Sequence, residues 1–187
     1  SYVASMDEGW TRWLLENYEY DFTSLSDDDV RTGDLSRLDV IVLPHQSAEN
    51  ILQGHPPGTM PEEFTGGVGL EGALALSRFV EEGGTLVTLD GASDFAIAQF
   101  GLPLRNVTAG LADRRFFIPG SLIRASVDTA HPLAFGMPAE VATQFVRSRA
   151  FDTVSLPRSR EGGKETTMEP PLANVEAIVR YAEEDIL

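Results

Sequence analysis

The chain has no cysteine among its 187 residues and a single lysine, Lys164. The first absence excludes a disulfide framework and any thiolate that could attack a substrate or hold a metal. It also leaves the redox compartment undetermined. Basic residues number 14 against 29 acidic ones, for a formal net charge of −15. No arginine-rich stripe with interleaved aromatics offsets that sign, and a negative surface repels phosphate backbones. Nucleic acid is therefore not an expected partner. No apolar run approaches the roughly 20 residues that span a bilayer, so no membrane span is expected. Histidines number three, His45, His55 and His131, which leaves few candidates for a general base.

What remains has the composition of a globular domain, with 42% hydrophobic residues. At this length one core buries roughly 70% of the surface the unfolded chain would expose, so the expectation is a single domain over 1–187. Both ends read as cut, with little of a first strand before Met6 and a stop on the apolar pair Ile186 and Leu187. The segment 158–171 is polar and reads as a mobile insert.

Hydrophobic spacing organises the chain into strands and helices. Trp10, Trp13, Leu14 and Tyr18 recur three and four residues apart, which predicts an amphipathic helix from Asp7 to Tyr18. Ser26 precedes an acidic turn of helix that Gly33 stops. Val40 to Leu43 is continuously apolar and closed by Pro44, the pattern of a strand buried on both faces. The Pro- and Gly-rich loop after it holds a short helix near Glu49 to Leu52, and its length points to a functional role or a lid. A strong helix follows, with Leu70, Ala73, Leu74, Leu76, Phe79 and Val80 on one broad face. "TLVTL" is a second buried strand, and the two strands should pair in parallel through a right-handed crossover. Later strands are expected around "FFIPGSLIRASV", "TQFVRS" and Val175 to Tyr181.

The stretch "TLVTLDGASDFAI" has the strand, sharp turn and helix that present a nucleophile in many α/β enzymes. Asp90 and Gly91 stand at the bend and Ser93 shortly after. Asp90 can be read as a nucleophile or as a helix cap, and capping is the stronger reading because attack also needs a base. His45 follows the first strand directly, at the carboxyl edge where open α/β sheets bind ligands. With Glu71, Asp90 and Ser93 it makes a candidate pocket. His131 sits in turn chemistry before Pro132. His45 and Glu49 are four apart and Glu62 adjoins Glu63, but no histidine pair has ligand spacing, so no metal is expected in this chain. Gly67, Gly69 and Gly72 match G-x-G-x-x-G without the strand that must precede it, so Gly66 to Gly69 read as a hinge into the helix.

Three segments, "MDEGWTRWLLENY", "GTMPEEFTGGVGLEGALALSRFVEEGGTLVTLDGASDFAI" and "PGSLIRASVDTAHPLAFGMPAE", resemble one family. It is the class I glutamine amidotransferase-like domain that follows the catalytic domain in bacterial zinc carboxypeptidases of the carboxypeptidase A type. The resemblance covers most of the chain outside 158–171. It implies an α/β, flavodoxin-like three-layer sandwich with a mostly parallel sheet, related to the amidotransferase and PfpI-type folds. Catalytic members of that superfamily carry cysteine at the elbow, whereas this chain has Asp90, Gly91 and Ser93 there. The resemblance therefore implies a degenerate elbow in a non-catalytic accessory domain. Zinc would belong to the parent's peptidase domain, because His45 and Glu49 do not have the peptidase's histidine, two residues, glutamate spacing. That peptidase domain is the expected partner, with homo-oligomerisation a further expectation. The alternative is a small hydrolase or ligand-binding domain that uses the carboxyl-edge pocket.

Overall fold

In the structure, a computed structural model that describes residues 2–154, 159–161, 164–166 and 175–182, the apolar run at 40–43 is strand β1 (Val40–Leu43). It pairs in parallel with β2 (Thr85–Thr88) in the register Val40 to Thr85 through Leu43 to Thr88. The chain divides into two compact units, Ser1–Leu102 and Pro103–Leu187, and the parallel pair lies in the first.

The helices of that first unit begin and end where capping chemistry requires. Helix α1 (Met6–Asn17) starts at Ser5, whose hydroxyl accepts the Glu8 backbone N–H. Helix α2 (Asp27–Thr32) has a full capping box, in which the Ser26 hydroxyl accepts from the Asp29 backbone and the Asp29 carboxylate accepts from the Ser26 backbone. Together these satisfy two of the helix's orphan donors. Helix α3 (Ala48–Gln53) is capped by Ser47. Helices α4 (Gly69–Glu81) and α5 (Gly91–Phe100) flank β2 in the chain.

The core of this unit joins Ile41 of β1, Ile51 of α3, Ala73, Leu76 and Phe79 of α4, and Ala92 and Phe95 of α5. Leu76 and Phe95 are fully buried, and each such side chain contributes roughly 1.5–3 kcal/mol by leaving water. Two expectations are corrected here. The buried face of α4 is Gly72, Ala73, Leu76 and Phe79, whereas Leu70 and Leu74 are 74% and 58% exposed. The second concerns the strands. Side chains alternate across a strand, so Ile41, Leu43 and Leu86 meet the helices while Val40 and Val87 stay exposed on the other face. Helices cover one face of this pair, so β1 is not buried on both.

Two glycines of the run at 66–72, Gly67 and Gly72, are closely packed. A Cβ on Gly67 would lie 2.5 Å from the Ile51 carbonyl oxygen, and one on Gly72 would lie 2.7 Å from the Val68 Cβ. The Val68 N–H donates to that same Ile51 carbonyl at 2.9 Å, and the Gly66 N–H donates to the His55 carbonyl at 2.8 Å. Arg31 of α2 donates to the Gly67 carbonyl. Gly67 and Gly72 let the loop close on α3 and α2, and Gly69, at φ 60°, takes a backbone conformation that favours glycine.

The second unit is antiparallel where it is described. Strand β3 (Leu104–Asn106) pairs with β6 (Phe151–Thr153), and Arg105 meets Asp152 across them at 2.8 Å. Strand β4 (Ser121–Val127) lies between β5 (Glu140–Phe145) and β9 (Val179–Tyr181). Its alternation is plain: Ile123, Ala125 and Val127 are buried, and the residues between them are not. Phe145 stacks edge-on with Phe116 and Tyr181. Of the expected insert at 158–171, only β7 (Ser159–Glu161) and β8 (Lys164–Thr166) are described, as an antiparallel pair. The rest of that segment lies outside the described residues, as do Ile186 and Leu187.

Candidate functional site

Register alone brings two of the candidate residues to one edge. Leu43 pairs with Thr88, and His45 and Asp90 each stand two residues beyond that pair at the carboxyl ends of parallel strands. The Leu89 N–H extends the ladder by donating to the Leu43 carbonyl at 3.0 Å. Beyond it the chain reverses sharply into α5, with Asp90 at φ 46° and ψ −111°. A positive φ in a residue with a Cβ is strained, at a cost of roughly 1–3 kcal/mol, and persists only where surrounding contacts hold it.

Those contacts centre on His45. Its Nδ1 lies 2.7 Å from Asp90 Oδ2, and the Gly91 N–H points at the same nitrogen, 3.1 Å away. A Cβ on Gly91 would fall 2.8 Å from the Gln46 carbonyl oxygen and 2.9 Å from His45 Cε1. Glycine is therefore the residue that lets the His45 loop approach the start of α5. The segment before α1 braces the loop from the other side: Ser5 Oγ donates to the His45 carbonyl at 2.9 Å, and Gln46 Nε2 donates to the Val3 carbonyl. His45 and Asp90 are both partly exposed, so the pair is open to solvent.

The other candidates go elsewhere. Asp90 occupies the cap position of α5, but its side chain makes no capping bond; in its positive-φ conformation the carboxylate reaches His45 instead. The expected cap is in this respect corrected. Ser93 Oγ donates to the Thr88 carbonyl at 3.1 Å and accepts from Thr88 Oγ1 at 3.2 Å. It ties the helix to the strand end and is not the group that His45 serves. Glu71 is exposed in the first turn of α4. His131 belongs to the second unit, where its Nδ1 accepts the Leu133 N–H and its Nε2 lies 3.2 Å from Glu176 Oε2. His55 takes part in a bridge with Gly66 through its backbone.

Among the described residues no group of three or more histidine or carboxylate side chains is placed to hold a metal ion. His45 and Asp90 offer two donors without a third, a set too small for a zinc centre. The sequence places His45 and Asp90 at one edge but shows neither the Gly91 N–H contact nor the Ser5 brace. The signal for the first was the bare glycine after Asp90; Ser5 lies 40 residues from His45 and has no local signature.

Fold and site together define a mixed α/β protein with small sheets, one parallel and others antiparallel, that carries a histidine–aspartate pair at the carboxyl edge of its parallel strands. No known protein family, curated protein or solved structure matches this chain.

Proposed function

We propose that this chain is an amidotransferase-like accessory domain of a larger zinc carboxypeptidase, built on a flavodoxin-like plan, and that it supplies surface rather than any of the peptidase chemistry. The observation that carries the reading is the apolar stripe of α1. Trp10 and Trp13 are 62% and 54% exposed, stacked edge-on, and no residue of that helix is buried. A helix patterned for burial yet uncovered marks an interaction surface. The elbow supports the same reading, because its strained turn is present in a chain without the cysteine that attacks in catalytic relatives of the resemblance. The two tryptophans of the chain both lie on α1, so fluorescence reads this surface alone. Adding the peptidase domain of the parent protein should shift the emission to the blue and shield it from acrylamide. Unchanged emission, together with separate elution of the two domains, would sink the proposal.

A second reading is favoured by the 2.7 Å contact between His45 and Asp90. Under it the carboxyl edge is a site in its own right, for a small ligand or a hydrolytic reaction. The two readings rest on different side chains, and one chain can serve both.

A further inference from the structure

One imidazole nitrogen cannot answer two partners. If His45 Nδ1 is bare, it accepts the Gly91 N–H at 3.1 Å and turns its lone pair toward a carboxylate oxygen 2.7 Å away. If Nδ1 carries the proton, it donates to Asp90 and the Gly91 bond is given up. A hydrogen bond to an ionised acceptor is roughly twice as strong as a neutral one, and here it is also the shorter of the two. The charged partner therefore decides the tautomer. On that account the proton would sit on Nδ1 and Nε2 would be left as the bare acceptor. No described residue bonds Nε2, and the ring is 40% exposed, so water reaches it.

We infer that His45 and Asp90 form a general-base dyad, with His45 as the catalytic residue and Asp90 as the positioning residue that fixes its tautomer. This rests on the second reading above. His45 Nε2 takes a proton from water while the water oxygen bonds to an acyl carbon. The tetrahedral adduct then expels an alkoxide, which recovers the proton from Nε2, so that ester and water become acid and alcohol. The substrate class follows from what surrounds the dyad. No thiol exists to form an acyl-enzyme, which favours esters with good leaving groups over amides. The net charge of −15 and the Asp90 carboxylate turn away anions, so the substrate is uncharged or cationic.

Two measurements on the full chain test this. Long-range proton–nitrogen NMR should find the His45 proton on Nδ1. Asp90→Asn, which keeps the shape and removes the charge, should move it toward Nε2. With p-nitrophenyl acetate as the probe, the chain should exceed the rate of an equal concentration of free imidazole, and His45→Gln should lower the excess by about 10²-fold, as loss of a general base does. Circular dichroism of both variants checks that they fold. A proton on Nε2 in the parent chain, or turnover that survives His45→Gln, overturns the dyad but leaves a carboxyl-edge site standing. No turnover by any of the chains overturns the dyad and the hydrolytic reading together.

Discussion

Gly91 shows how much a missing Cβ can hold in place. It is buried at the start of α5, and the Gln46 carbonyl and the His45 ring fill the space a side chain would take. Gly91→Ala should force that loop away and destabilise the chain by about 1–3 kcal/mol, as overpacking does. It should also separate His45 from Asp90. Gly120→Ala, where nothing lies within 4 Å of the added carbon, should cost far less. Urea denaturation of the two variants makes the comparison, and equal midpoints would contradict this account of the elbow. The identity of Asp90 and its place at a bend were legible in the sequence. Its φ of 46° and its turn from cap to histidine partner were not, because they follow from a loop 45 residues earlier in the chain.

At the scale of elements, acid is the condition that should test the caps. The Ser26 hydroxyl, and after it the Ser26 backbone N–H, holds the Asp29 carboxyl below the usual aspartate range. Ser36 does the same to Asp34 through its hydroxyl and then its backbone N–H. Across the β3–β6 pair, Arg105 is the main cause of the lowering at Asp152, followed by the Thr153 N–H. Each carboxylate stays charged in the folded chain to lower pH than in the unfolded one. Its contribution is therefore complete above about pH 4, the ordinary aspartate value, and is lost as pH falls through the depressed folded value. Asp29→Asn combined with Asp34→Asn should flatten the fall of the urea midpoint below that pH while leaving its shape at neutral pH. Ser26→Ala should cost about 1 kcal/mol at neutral pH through loss of the α2 cap. These caps were readable from Ser26 and Gly33 alone, since a cap is made within four residues. The face of α4 was not, because three leucines and a phenylalanine on one helix do not say which neighbour covers them.

For the whole molecule the net charge of −15 sets the expectation. Self-repulsion opposes the compact state, and raising ionic strength from 0.01 M to 1 M shortens the screening length from about 30 Å to about 3 Å. The melting temperature of the chain should therefore climb with added sodium chloride. A flat or falling curve would mean that local pairs such as Arg105–Asp152 outweigh the general repulsion.

The sequence by itself determined what depends on near neighbours: the apolar runs that become β1 and β2, their parallel pairing across a helical crossover, the serine caps, and the absence of any thiol chemistry. Tertiary structure alone decided which face of each element is covered, how the glycine run at 66–72 packs, and that His45 meets Asp90 rather than Ser93. The reason is physical. Periodicity and capping are written over a few residues, whereas a contact such as Ser5 to His45 or Gly91 to Gln46 exists only once distant segments share one core and compete for the same space.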